Sequence, residues 1–154
     1  MQTLIIGIGN RYRRDDGAGC AVASRLHNMA GSGVRVITPD GAGGALMDTW
    51  SDADRVFVID ASCSGAAPGA IQRFDAVASP LPTGILQPHS THAFGLAESV
   101  ELARALDRLP PQLIVYAVAG EDFGPGVGLT PDVQRAADEV ARRIRDEIAV
   151  TAKL

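Results

Sequence analysis

Three segments of this 154-residue chain, 3–9, 55–60 and 112–119, are almost continuously apolar. A strand with one wet face would alternate, so unbroken runs of this length belong to strands covered on both faces, as in a parallel sheet between helical layers. Helical periodicity fills the intervals between them. Val22, Leu26 and Met29 recur at i, i+4 and i+7 after Asp15, Asp16 and Gly17, where carboxylates suit the positive end of a helix dipole. Leu96, Val100, Ala103 and Leu106 predict a helix from His92 to about Leu109. Val133, Ala137, Val140, Ile144 and Ile148 form the clearest helical stripe, opened by Thr130 as N-cap with Pro131 in the first turn. Two further segments alternate. Residues 34–38 form a strand that runs into a glycine-rich loop at 39–44, followed by a short helix carrying Leu46 and Trp50. Residues 70–77 read as a half-exposed strand, antiparallel and at a sheet edge, reached through the turn-forming stretch 62–69. Strands alternating with helices imply an α/β layered domain with a mostly parallel sheet and right-handed crossovers. The length fits one domain.

Composition narrows the range of partners. Apolar residues make up 46% and charged residues 21%, enough for a packed core, and the formal charge of -4 argues against nucleic acid or an anionic membrane as a partner. Thirteen of the fourteen basic residues are arginine, Lys153 being the exception. Cys20 and Cys63 have no CxxC spacing and are too few for a disulfide framework, so a reducing compartment, the cytoplasm, is expected. No apolar run reaches the roughly eighteen residues of a membrane span. A short chain without heptads gives no reason to expect more than a monomer.

In such sheets, binding groups gather beyond the carboxyl ends of the strands. Asp16 follows the first strand, Asp40 the second and Asp60 the third. The Gly7-Ile8-Gly9-Asn10 segment lacks the third glycine of a GxGxxG fingerprint, since position 12 is Tyr12, and serves better as a sharp turn with Asn10 bonding nearby backbone. No GxxxxGK[ST] sequence is present, which excludes a P-loop. Asp16, Asp60 and His92 all fall at element ends on the same expected side of the sheet. Two carboxylates and one imidazole suit a divalent transition ion with an open coordination position. Each residue also has an ordinary role: helix capping for Asp16, turn stabilisation for Asp60, a helix start for His92. Their convergence would decide for the ion, because two adjacent carboxylates repel unless a cation relieves them. His89 and His92 are three residues apart, but Pro88 disfavours a helix there, which leaves His89 a secondary contact at most. There is no HExxH. Cys63 as a thiolate nucleophile is disfavoured by the negative charge of Asp60 three residues before it, and Cys20 falls on an apolar helix face.

Together, Gly7-Ile8-Gly9-Asn10, the stretch from Arg14 to Gly19, Asp40 to Gly44, Ile59-Asp60-Ala61, His92-Ala93-Phe94-Gly95-Leu96 and Gly126 to Pro131 resemble the hydrogenase maturation proteases, in the same order along the whole chain. These endopeptidases trim the carboxyl terminus of the precursor of the nickel–iron hydrogenase large subunit. The resemblance implies a single three-layer α/β domain with a twisted five-stranded sheet between helices. It assigns metal contact and catalysis to Asp16, Asp60 and His92, with aspartate at position 16 where some relatives carry glutamate. It further implies that the ion recognised is nickel already installed in the precursor, with no permanent cofactor in the protease. Asp40 is a candidate for supporting the site or binding peptide, against the plain reading of an Asp-Gly turn. The rival reading is a non-catalytic metal-sensing chaperone that docks on the large subunit without cutting it.

Overall fold

The structure, a computed structural model, describes residues 1–39, 46–63, 65–82 and 95–152. Strand β1 (Thr3–Gly7) leads through a 3-10 turn (Arg14–Gly17) into helix α1 (Ala18–Leu26), and β2 (Val34–Ile37) follows. Next come α2 (Leu46–Thr49), β3 (Arg55–Ser62), β4 (Ile71–Asp75), α3 (Leu96–Ala105), β5 (Gln112–Ala119) and α4 (Pro131–Ala152). The five strands form one sheet in the order β2-β1-β3-β5-β4. All neighbours are parallel except β4, which runs antiparallel to β5 at the edge.

The unbroken apolar runs follow from two covered faces. Ile5, Phe57, Ile59 and Tyr116 pack with Val22 and Leu26 of α1 and Val133, Val140 and Ile144 of α4. Their chain neighbours Leu4, Ile6, Val56, Val58 and Val115 project the other way, as the pleat requires, and join Leu46, Trp50, Leu96 and Val100 from the α2 and α3 side. The indole Nε1–H of Trp50 donates to the Arg108 carbonyl at 3.0 Å, which satisfies the polar atom of this nearly inaccessible side chain.

Some boundaries differ from the sequence pattern. β1 stops at Gly7 instead of Gly9, because the chain turns out of the sheet through Gly9 at φ 132°, a conformation open only to glycine. β3 runs two residues past Asp60, since β5 continues to pair with it through Ala61 and Ser62. Asp60 therefore lies inside a strand, not beyond its end. α3 ends at Ala105, short of Leu109, where Asp107 takes a left-handed φ of 55° that closes the helix. The expected start of that helix at His92 falls outside the described residues, as does the loop holding Asp40.

Candidate active site

The chain leaves β1 for β2 on one side, and β3 occupies the other. This reversal of strand order opens a crevice at the carboxyl ends of β1 and β3. α1 begins against that crevice with no side chain between. A Cβ on Gly19 would lie 2.4 Å from the carbonyl oxygens of both Ile8 and Ile59, so the residue that seats the helix on the two strands has to be glycine. This close approach brings the preceding 3-10 turn, with Asp15 and Asp16, to the end of β3.

The two adjacent aspartates have different tasks. Asp15 is fully buried and does not cap α1. Its Oδ2 accepts hydrogen bonds from the backbone N–H groups of Glu121 and Asp122 and from the Thr130 hydroxyl, and its Oδ1 accepts from the Thr130 N–H, all at 2.8–3.0 Å. Burial pushes this carboxyl up, but the donors of Asp122, Thr130 and Glu121 together outweigh burial and hold it below the ordinary aspartate value. The carboxylate expected to serve the dipole of α1 instead sits where α4 begins, and it ties the β1–α1 loop to the β5–α4 loop.

Asp16, also buried, turns back toward the loop, where its Oδ2 accepts from the Asn10 N–H at 2.8 Å. It makes no cap bond to α1, so the helix-capping role does not apply. Asp60 projects to the α2 and α3 side of the sheet, in register with Val56 and Val58, and its Oδ1 accepts from the Ala61 N–H at 2.8 Å. Its carboxyl is pushed well above the ordinary value, first by burial and then by the charge of Asp16, against the weaker opposite pull of the Ala61 bond. Two of the three candidate residues thus lie in each other's electrostatic field. No donor among the described residues reaches Asp16 Oδ1 or Asp60 Oδ2. His92 and His89 lie outside the described residues, and within those residues no cluster of three or more metal-binding side chains occurs.

A family model described as hydrogenase maturation protease matches residues 20–147. The chain belongs to that family. It is 26% identical over 148 residues to the hydrogenase 2 maturation protease of Escherichia coli K12, an alignment covering 94% of this chain and 88% of that protein. It is 31% identical over 144 residues to the hydrogenase expression/formation protein HupD of Bradyrhizobium diazoefficiens, covering 92% of this chain and 73% of that one. Among solved structures, the hydrogenase maturating endopeptidase HybD of Escherichia coli superposes with a TM-score of 0.83 at 23% identity, covering 98% of this chain and 94% of that chain, and so shares the fold. This is a protease of hydrogenase maturation, built as a single domain around a five-stranded, mostly parallel sheet.

Other features of this protease bear on its site. Ser62 follows Asp60 by two residues on the same face of β3, and its buried hydroxyl has no partner among the described residues. Periodicity alone gives no sign of it, nor of Asn10 as the donor that orients Asp16. Cys63 is exposed, yet partial desolvation by the neighbouring chain and the charges of Asp16 and Asp60, against the opposing charge of Arg13, push its thiol up, which is the wrong direction for a nucleophile. A cleft of about 580 Å³ opens at the opposite, amino end of the sheet beside Arg55, Arg73, Gln112 and Glu147. There Arg73 and Tyr116 both bond Glu147, and the carboxylate pair of the crevice has no part in it. No helix among the described residues is long and apolar enough to cross a membrane.

Proposed function

We propose that this protein is the endopeptidase that removes the carboxyl-terminal extension of a nickel-loaded precursor of the nickel–iron hydrogenase large subunit, and that Asp16, Asp60 and His92 engage the nickel. The nickel belongs to the substrate. The observation that carries this reading is the Asp16–Asp60 pair, two buried carboxyls at the switch crevice, where burial and then the charge of Asp16 raise Asp60, a strain that a divalent cation would relieve. The donor set is hard oxygen, and His92 would complete it with nitrogen, a combination suited to a divalent first-row ion. The chain order supports its participation. α3, which starts at Leu96 four residues after His92, packs on the face toward which Asp60 projects.

With the ion held by these side chains, the precursor segment beside it is fixed in orientation, and water adds to the scissile carbonyl before the C–N bond breaks and the amine leaves with a proton. Asp40 would support the site or the bound peptide from the glycine-rich loop.

The test is to incubate the purified protein with nickel-loaded and nickel-free precursor and weigh the products by mass spectrometry. Loss of the extension from the nickel-loaded form alone is expected. An unchanged mass with a stable complex would instead favour the docking chaperone, and equal cleavage of both forms would remove nickel from recognition.

A further inference from the structure

The thirteen arginines are not used alike. Ten of them, from Arg25 to Arg145, make a hydrogen bond or ion pair within the fold; Arg25 with Asp138, Arg73 with Glu147 and Arg142 with Glu139 are examples. The other three are Arg11, Arg13 and Arg14. None forms a side-chain hydrogen bond or ion pair with any described residue, and all three stand in one four-residue stretch between β1 and α1. Three like charges in so short a loop repel each other.

The loop is held firmly. Its backbone is fixed by Asn10, whose side-chain oxygen accepts from the Tyr12 N–H at 2.9 Å and whose carbonyl accepts from the Arg13 N–H at 3.0 Å. It is tied to the β5–α4 loop by the Arg14 N–H to the Gly126 carbonyl and the Gly126 N–H to the Tyr12 carbonyl. Arg14 takes a left-handed φ of 49°, a conformation uncommon for a side-chain-bearing residue and sustained here by those bonds and by buried Asp15. Glu121 and Asp122 lie in the facing loop, yet no ion pair joins them to these arginines. At the tip, Tyr12 is 65% exposed and Val127, across the bridged loops, 66% exposed. The same loop supplies the Asn10 N–H that orients Asp16, and Arg13 lies close enough to the end of β3 for its charge to act on the Cys63 thiol.

We infer that the Arg11–Arg14 loop, with Tyr12 and Val127 as apolar contacts, docks an acidic segment of the client polypeptide beside the scissile bond. Several side-chain carboxylates fit better than a single terminal carboxylate, since one guanidinium fork saturates one carboxylate and the loop carries three. The net charge of -4 on the whole chain, these three arginines included, disfavours nucleic acid at the same place. The pre-ordered loop keeps the cost of ordering on binding low. This inference names the substrate chemistry of the proposed protease and rests on that reading for its client, but its recognition step is measurable without cleavage.

The experiment compares the wild type with the triple variant Arg11→Gln, Arg13→Gln, Arg14→Gln in two assays. In the first, fluorescence anisotropy follows a labelled hexaglutamate peptide, a hexaglutamine peptide and a single-stranded hexanucleotide at low and moderate salt. Hexaglutamate should bind the wild type in a salt-sensitive way and the variant on the order of tenfold more weakly, the factor expected of three exposed ion pairs. Equal hexaglutamate binding by the two proteins, or tighter binding of the hexanucleotide than of the peptide, overturns the inference. In the second, precursor processing by the variant should show its loss in KM and a flattened salt dependence, and an unchanged KM contradicts docking. If the wild type processes no precursor, the proposed activity fails while the peptide assay still decides the loop's role.

Discussion

Replacing Asp15 with alanine tests whether the crevice is assembled by a buried carboxylate that never meets substrate. The side chain is inaccessible to solvent and accepts from four donors, three backbone N–H groups and the Thr130 hydroxyl. Alanine leaves all four without their acceptor, and removing one member of a buried charged network costs about 3–5 kcal/mol. For a domain of this size each kcal/mol lowers Tm by roughly 2–4 °C, so a fall of about 10 °C is expected by differential scanning calorimetry. Amide exchange at Glu121, Asp122 and Thr130 should accelerate with it. Asp138→Ala, which removes an exposed partner of Arg25, serves as control and should cost less than about 1 kcal/mol. Because Asp15 is held below its ordinary value of 3.8, its contribution is present above that pH and disappears as pH falls through the lowered value. The stability gap between the wild type and Asp15→Asn should therefore be constant near neutrality and close in acid. A fall in Tm of less than about 3 °C for Asp15→Ala, with unchanged exchange, would refute the reasoning.

Further predictions concern single groups. Asp60→Asn should abolish processing yet raise Tm at neutral pH, since the raised native pKa makes the ionised carboxyl a cost above 3.8 that is absent in acid; equal Tm values at pH 7 would contradict the burial and repulsion described. Gly19→Ala forces a Cβ into the carbonyls of Ile8 and Ile59 and should cost about 3 kcal/mol or more by urea unfolding, whereas an alanine tolerated there would mean that α1 does not rest on the strands. Tyr116, pushed up to about 12 by burial and by its bond to Glu147, should titrate late in near-ultraviolet absorbance. Its raised pKa makes stability fall between pH 10 and 12, a loss that Tyr116→Phe should escape.

The layers and the strand count were legible because they depend on periodicity, which is local. β5 runs from Gln112 to Ala119 as its apolar run indicates, and the antiparallel edge at Ile71–Asp75 announces itself by alternation. What periodicity could not reveal was which of two adjacent carboxylates serves structure. Asp15 and Asp16 look equivalent as acids at a helix start, and only the return of the β5–α4 loop, more than a hundred residues later, makes Asp15 the anchor and leaves Asp16 for the crevice. The end of β3 is hidden from periodicity for a similar reason. An aspartate looks like a strand terminator, whereas pairing to Val118 and Ala119 carries the strand past it and buries its carboxyl. Of the candidate triad, the aspartates come into each other's field, while His92 falls outside the described residues, as does the supporting candidate Asp40.

The central claim is that Asp16, Asp60 and His92 form one receptor for a divalent ion. Isothermal titration of nickel into the purified chain, and into Asp16→Ala, Asp60→Ala and His92→Ala, tests it most directly. The account predicts one site per chain in the wild type, weakened at least tenfold by each substitution with the fold retained by circular dichroism. Undiminished nickel binding by His92→Ala, or by either aspartate variant, would contradict it.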